Sequence, residues 1–466
     1  MAEAQALRGV DTPIGKALVD ELGADCVMFD DDVTSRGAGI WRSDNIEAHI
    51  LVRPRSTEEV SRAMAICHAH KQTVIAQGGL TGLVESAITR DSDVVISLER
   101  MNEIEAINPL ERTAVVQSGV VLQALQEAVA EHGLMFPLDL GGRGSCTIGG
   151  NISTNAGGNR VIRYGMTRDM VLGLEAVLAD GTVVSSMNQM IKNNAGYDLK
   201  QLFIGSEGTL GIVTRAVVRC RAEVVGQPTM LVAVDEFSKL MRLLQHVDKG
   251  LRGSLSAFEL MWDNYYNLVT TPPATNQAPI SGDYPYYVLI EAMGADDGLV
   301  EEVLGQALEE GIIADAVFAQ SEAQRQQIWA LRDDVEQVFQ YAPIFLFDVS
   351  LRMPFMEAYV NTVNSRLAEN FANPRNYIVG HMGDGNLHFC IGVDDGSSEA
   401  RRAIERCVYE PLADIGGSVS AEHGVGLEKK PYLSICRSPE EVQLMRTVKA
   451  ALDPLNLLNP GKIFDA

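Results

Sequence analysis

Two histidines, His381 and His388, are separated by the string MGDGNL. The apolar residues on either side read as strands, and Gly383, Asp384, Gly385 and Asn386 read as a four-residue turn. In that register Met382 pairs with Leu387, and His381 lies directly opposite His388. Cross-strand partners share a face, with Cβ atoms about 4.5–5.5 Å apart. Two imidazoles so placed can grip one divalent metal, or they can be a pair of surface histidines at a hairpin tip. A metal needs a third ligand. Glu422 and His423, in the string SAEHGVG, offer a carboxylate and an imidazole side by side. Two histidines and one carboxylate leave coordination positions open, as a catalytic metal requires. On an extended backbone the side chains of Glu422 and His423 point opposite ways, so they suit different tasks.

A second kind of chemistry is written in glycines. Residues 77–83 read QGGLTGL and follow the apolar run QTVIA. Backbone N–H groups in such a turn can face a pyrophosphate. Between Pro137 and Thr214 the chain carries GGRGSCTIGG, TNAGG and GSEGTLGIVT. Glycine at this density weakens helices and strands but lets backbone approach a flat or polyanionic ligand closely. The interleaved Asn, Ser and Thr side chains can bond ring heteroatoms and phosphate oxygens. A loop this long without a task is uncommon. No GxGxxG string lies between a strand and a helix, and the nearest one, starting at Gly142, fails at its third glycine. A nicotinamide cofactor is therefore not indicated.

The ordered run GGNISTNAGGNRVIRYG, VLADGTVV and GSEGTLGIVT resembles the flavin-binding domain of the vanillyl-alcohol oxidase and p-cresol methylhydroxylase (PCMH) superfamily. The strings GHMGDGNLH and SAEHGVGLEKK, with the ending LDPLNLLNPGK, resemble the C-terminal domain of the FAD-linked D-2-hydroxyacid dehydrogenases. That family includes D-2-hydroxyglutarate dehydrogenase, D-lactate dehydrogenase and the glycolate oxidase catalytic subunit. The resemblance runs from residue 46 onward. It implies an α+β fold: a PCMH-type FAD-binding domain in two subdomains, then an FAD-linked oxidase C-terminal domain with an antiparallel sheet and helices. It implies FAD held without a covalent link, with Gln77, Gly78, Gly79, Leu80, Thr81, Gly82 and Leu83 forming the pyrophosphate loop. From the second glycine block it adds Leu140, Gly144, Ser145, Ile148, Gly149, Asn151, Thr154, Ala156 and Gly157. Glu207, Gly208, Gly211, Ile212 and Val213 follow from the third block, and Asn459 from the chain's end. Cys146 is the residue of this region that could form a tether. The resemblance further implies that His381, His388 and Glu422 bind a divalent metal, commonly zinc, and that His423 is the active-site base.

The implied reaction oxidises a D-2-hydroxy acid to the 2-oxo acid. Such an acid can chelate a metal through its carboxylate and hydroxyl, and the metal lowers the hydroxyl pKa. A neutral histidine can take that proton near pH 7. The Cα hydrogen leaves as hydride to the flavin. Arg332, in IWALRDD, matches the family's W-x-x-R carboxylate-binding arginine, and a planar guanidinium suits that contact. Arg352 in SLRMP, Asn386, and Lys462 in NPGK are further substrate-binding candidates. Close 2-hydroxyglutarate enzymes carry a threonine and a lysine where this chain has Glu336 and Leu346. A glutamate repels a second carboxylate, so the substrate's side chain stays open between D-2-hydroxyglutarate, D-lactate and similar acids. The electron acceptor also stays open, with an electron-transfer flavoprotein or a quinone as candidates, and so does a homodimer.

These residues need elements to position them. Residues 1–45 read as a short helical lead and a polar loop. AHILVRP reads as a strand, and Ser56 with Glu59 as a capping box before an amphipathic helix to His70. His68 and His70 point to different faces of that helix and read as surface residues. DVVISL, EIEAIN and TAVVQSG read as strands, and VVLQALQEAVAEHG as a helix stopped by Gly133. VLADGTVV is a hairpin turning at Asp180 and Gly181. Farther on, TMLVAVDEF and YYVLIEAMG are strands, GLVEEVLGQALEEG and residues 321–340 are helical, and residues 271–285 form a loop. This mixture argues for α+β rather than a doubly wound parallel sheet. The implied divisions are a lead at 1–45, the FAD-binding domain at 46–224, a substrate and metal domain at 225–415, and a segment at 416–466 that returns to the flavin site.

The 466 residues exceed one ordinary domain. A hydrophobic content of 46% supports packed globular structure rather than disorder. The net charge of −24 disfavours nucleic acid and anionic membrane as partners. No apolar run reaches the ~18 residues of a membrane span, so none is expected. The N-terminus lacks a signal or transit pattern, and the expectation is a cytoplasmic protein. The seven cysteines are odd in number and form no CxxC pair, which reads as reduced thiols. The alternatives are a non-redox transferase of the alkylglycerone-phosphate-synthase type, a glycolate-oxidase-type subunit, or a flavin-binding module without turnover. The separated histidines with Glu422 argue against the first and the last.

Overall fold

Short β-branched runs bounded by turn residues make the strands of the first half of the chain. The structure is a computed structural model describing residues 9–466. Strands β1 (Val27–Phe29), β2 (Ile50–Val52), β3 (Val74–Gln77) and β4 (Val94–Ser97) form a sheet in the order β1-β2-β4-β3. β1 and β2 are antiparallel, while β4 runs parallel to both β2 and β3. The helix Thr57–Ala69 supplies the crossover that parallel strands require. Its N-cap Ser56 accepts the Glu59 amide at 3.3 Å. The Glu59 carboxylate accepts the Arg55 amide instead of closing a capping box. The early residues hold the helix of the expected lead, and part of the expected loop is a strand. Helix Pro13–Leu22 and β1 bury Leu18, Leu22 and Val27 in the core of this sheet. A three-residue strand among polar neighbours is too short to show a period, which is why it reads as loop. The start of the lead, before Gly9, lies outside the described residues.

The second sheet uses β5 (Ile104–Asn108), β6 (Thr113–Gln117), β8 (Val171–Val177), β9 (Val183–Ser186) and β10 (Ile212–Arg219). It is antiparallel throughout, in the order β5-β6-β10-β8-β9. The short strands β7 (Leu134–Met135) and β11 (Arg221–Ala222) pair beside it. One core joins the two sheets, with Val60, Met64, Ile96, Val177, Ile212 and Leu458 among its members. Leu458 comes from the end of the chain, which runs beside β3. The Val74 amide donates to Leu457 O, and the Asn459 amide donates to Val74 O, both at 2.8 Å.

The later half supplies one seven-stranded antiparallel sheet. Its strands are β12 (Thr229–Val234), β13 (Leu255–Trp262), β14 (Tyr286–Ala292), β15 (Asp315–Phe318), β16 (Ile344–Ser350), β17 (Arg375–His381) and β18 (Asn386–Gly392). The order is β15-β12-β14-β13-β17-β18-β16. Helices Asp263–Thr270 and Glu322–Asp333 cover one face, burying Tyr265, Tyr266, Ile328 and Trp329 against Met261, Leu289 and Val379. Contacts divide the chain into two units. The first is the chain up to Ala156 with Met166–Glu223 and Glu422–Ala466, and the second is Gly157–Gly165 with Val224–Ala421. Among the described residues no helix is long and apolar enough to cross a membrane. All seven cysteines are free, and all but Cys436 are buried.

Candidate active site

In the second unit the hairpin β17–β18 turns through a single 3-10 turn, Met382–Asp384. Gly385, at φ 91°, closes it by donating its amide to Met382 O. The turn therefore starts at Met382, and His388 pairs with Val379, not with His381. The direct His381–His388 opposition read from the sequence is wrong by two residues. The two rings remain diagonal neighbours on one face, a separation that long side chains still bridge. Their centroids are 5.3 Å apart.

Each histidine has a carboxylate directly across on its outer neighbour strand. Glu259 on β13 faces His381, and Asp348 on β16 faces His388. Glu259 is 1% exposed and accepts a hydrogen bond from His381 Nδ1 at 2.8 Å. That bond puts the ring proton on Nδ1 and leaves Nε2 as the acceptor nitrogen. Arg332, also buried, donates through Nε to Glu259 at 2.8 Å and through Nη2 to His381 Nε2 at 3.3 Å. Burial pushes the Glu259 carboxyl up, but His381 and Arg332 outweigh it and hold the group below its ordinary range. Burial would weaken the Arg332 charge, and the Glu259 carboxylate more than restores it.

Asp348 is fully buried, and its Oδ2 accepts the Ala421 amide at 2.9 Å. Glu422 is the next residue. Two imidazoles and a carboxylate suit zinc or a comparable divalent ion, so the residues fit a metal. His423 is half-buried.

The other substrate candidates are placed differently. Asn386 donates to Val349 O at 3.0 Å, and its Oδ1 is buried without a partner. Arg352 is exposed, with its guanidinium over the Phe355 ring, outside the Glu259–Arg332–His381 network. Glu336 is exposed on the turn after helix Glu322–Asp333. Leu346 stands two residues before Asp348 on β16 and so shares the face that carries His388. Lys462, in the first unit, is buried and donates to the carbonyls of Glu85 and Ile88. Burial pushes its amine down to about 8.

The first unit carries the glycine cradle. Gly78 and Gly79 follow β3 and pass so close to residues 145–150 that side chains are excluded. A Cβ at Gly78 would meet Thr147 Oγ1 at 2.5 Å, and one at Gly79 would meet Ser145 O at 2.1 Å. Gln77 is held by Ala87 O, and Leu80 adopts φ 56°. Thr147 caps the helix Ile148–Thr154 by accepting the Gly150 amide. Gly149 packs on Ser118, where a Cβ would come within 2.5 Å. Asn151 is buried and its Nδ2 has no partner. A buried donor left unpaired beside an open glycine surface fits a polar cofactor such as FAD. Thr81, Gly82, Leu83, Leu140, Gly144 and Ser145 are half-buried or exposed around this surface. Gly208, at φ 72°, lies against Asn459, and Gly211 against Phe203. Ile148, Ile212 and Val213 have core side chains, so only their backbone can reach a ligand. Thr154 is engaged by Gly150 O, and Ala156 O accepts the Thr167 amide and hydroxyl. Gly157 begins the segment that belongs to the second unit.

Sequence reading missed Glu259, Asp348, Glu291 and the partners of the Glu207 carboxylate. Glu291 is fully buried and pairs with Arg160 at 3.0 Å, Arg325 at 3.3 Å and the Trp329 indole at 3.1 Å. Arg160 and Arg163, which donates to Met293 O, thereby hold Gly157–Gly165. The available signal was an acidic residue inside an apolar strand, LSAFELMW and YYVLIEA, where a charge is kept only if partnered. Glu207 was assigned to the cofactor, yet its carboxylate accepts the Val425 and Gly426 amides and the Ser86 hydroxyl. Burial pushes this carboxyl up against the pull of those donors.

Comparison with known proteins agrees with this geometry. A model of FAD binding domains matches residues 48–186, and a model of the C-terminal domain of FAD linked oxidases matches residues 226–463. The solved structure of p-cresol methylhydroxylase with substrate bound superposes with a TM-score of 0.77, covering 97% of this chain and 96% of that one. At 15% identity that likeness shows the fold alone. The class is therefore an FAD-binding oxidoreductase of the PCMH fold. The chain is 40% identical to D-2-hydroxyglutarate dehydrogenase of Xanthomonas citri pv. viticola over 426 residues, 89% of each chain. It is 39% identical to the mitochondrial D-2-hydroxyglutarate dehydrogenase of Bos taurus over 419 residues, 89% of this chain and 76% of that one. The chain belongs to the FAD-linked D-2-hydroxyacid dehydrogenase family, enzymes that act on CH–OH donors.

Proposed function

We propose that this protein oxidises a D-2-hydroxy acid to its 2-oxo acid, with FAD and a divalent metal, most simply zinc, as cofactors. The observation that carries the reading is the His381–His388 pair, ring centroids 5.3 Å apart and with Glu259 bonded to His381 Nδ1, in a chain of this family. When bound, the flavin accepts a hydride and the metal polarises the substrate hydroxyl. His381, His388 and Glu422 would hold the metal. Glu259 keeps the His381 ring in the tautomer a metal needs. Arg332 presents a permanent positive charge beside that ring, suited to the substrate carboxylate. His423 takes the hydroxyl proton. Asn386 Oδ1, buried and unpaired, is available to a substrate donor.

Leu346 brings no charge to the face it shares with His388, so the reading commits to the 2-hydroxy acid head group rather than to one side chain. Relatives named D-2-hydroxyglutarate dehydrogenase make D-2-hydroxyglutarate the first acid to test, with D-lactate second. FAD is held non-covalently in this reading. Burial raises the Cys146 thiol pKa and keeps it a poor nucleophile, and acid precipitation should release the colour. An electron-transfer flavoprotein or a quinone, and a cytoplasmic location, complete the proposal.

The test is anaerobic bleaching of the flavin band by D-2-hydroxyglutarate, D-lactate and their L-enantiomers. Bleaching by a D-acid and not by its enantiomer supports the reading, and no bleaching by any D-acid overturns it. His423→Asn should lower the reduction rate by about 10²–10⁴-fold, the usual worth of a positioned base, with FAD still bound. An unimpaired variant would remove His423 from the mechanism.

A further inference from the structure

Glu207 has left-handed backbone, φ 51°, and is 4% exposed. A glutamate adopts that conformation only where its surroundings impose it. Its backbone is fixed by Asn459, whose Nδ2 donates to Glu207 O at 2.7 Å. Its side chain takes two successive amides: Val425 N–H on Oε1 at 2.7 Å and Gly426 N–H on Oε2 at 2.9 Å. The Ser86 hydroxyl donates to the same carboxylate. Two adjacent N–H groups on one carboxylate fix the direction of the peptide units between them, and charge-assisted bonds of this kind are the strong ones.

Those amides belong to the turn that follows Glu422 and His423. The turn is built to be placed from outside, because Gly424 and Gly426 have φ of 87° and 53° and little stiffness of their own. A Cβ on Gly424 would meet Glu207 Oε1 at 2.8 Å, and one on Gly426 would meet Val84 O at 1.8 Å. Val84 O also accepts the Leu427 amide at 3.0 Å. A general base must sit within hydrogen-bond reach of its proton, and an error near 1 Å can lower a rate about a hundredfold.

We propose that Glu207 is a positioning residue for His423: its buried carboxylate clamps the 425–426 amides and so sets where the preceding imidazole stands. The proposal rests on the reading of His423 as the base. It differs from the cofactor-contact role that the family resemblance implies for Glu207.

The test uses the FAD-loaded full chain carrying Glu207→Gln. Glutamine keeps one acceptor oxygen and turns an NH2 group towards the other amide. Single-turnover flavin reduction by D-2-hydroxyglutarate, or by D-lactate if that is the better reductant, should show a limiting rate lowered by about 10–100-fold. The half-saturating substrate concentration should move by less than about threefold, and FAD content and visible spectrum should not change. Ser86→Ala, which removes one donor and keeps both amides, should lower the limiting rate alone by about two- to fivefold. A normal limiting rate in Glu207→Gln, with His423→Asn slow in the same assay, overturns the proposal. So does a Glu207→Gln rate that falls only in step with lost FAD or weaker substrate saturation. If Glu207→Gln does not fold, an unchanged rate in Ser86→Ala overturns it. An unimpaired His423→Asn overturns the base reading itself, and this proposal with it.

Discussion

The two units build their candidate sites from different atoms. The cradle of the first unit is backbone: Gly78, Gly79 and Gly149 lie so close to their neighbours that a single added carbon collides. The sheet face of the second unit is side chain: His381 and His388 stand across strands from Glu259 and Asp348, and Arg332 reaches Glu259 from a helix. A backbone site fails when volume is added, because carbonyls and Cα atoms cannot step aside. A side-chain site fails when charge or hydrogen bonding is changed at constant volume, because a buried group left unpaired is costly.

The sharpest way to break this contrast is His388→Ala. It should abolish metal binding and turnover while FAD stays bound at full stoichiometry. The metal's share of charge stabilisation is several kcal/mol, about a thousandfold or more in rate. Full activity in the variant, or in thoroughly chelated wild type, would remove the metal from the second unit. Gly79→Ala is the mirror experiment. Its Cβ would meet Ser145 O at 2.1 Å. Overpacking costs about 1–3 kcal/mol, enough to weaken FAD retention by up to about a hundredfold. Metal content should be untouched, and an FAD-replete variant would show that the cradle is not backbone-limited. Glu259→Gln makes the finest cut, since it keeps volume and removes charge. The lost ring orientation should lower metal affinity or activity by about 10–100-fold, with FAD and fold retained. Metal titration checks it, and an affinity within twofold of wild type would make Glu259 a bystander.

Legibility followed the same division. The cradle could be read from the chain because its determinants are local: QGGLTGL after a strand, and GGNISTNAGG after a turn. The side-chain site was only half legible. The strings around His381 and Glu422 are visible, but their partners are not adjacent in sequence. Glu259 precedes His381 by 122 positions, and pairing at that distance leaves no local period. The hairpin register failed for a smaller reason. Gly383–Asn386 looks like a turn by composition, yet the backbone turns one residue earlier at Met382, and the whole pairing moves with it. Glu207 was legible as a site residue, but GSEGTLG does not reveal that its carboxylate's partners are the amides of Val425 and Gly426.

The hydrogen bonds between Val74 and Leu457–Asn459 have a consequence for how the protein is made. Val74 and β3 leave the ribosome long before the segment that covers their outer edge. Domains ordinarily fold from the N-terminus as they are synthesised. Here the first sheet waits, with β3 an unpaired edge, until all the residues between β3 and Leu457 have been translated. Such an edge is a template for pairing with other chains. A stop codon just before Leu457 would therefore leave every glycine of the cradle intact and still produce a chain prone to aggregate during its own synthesis.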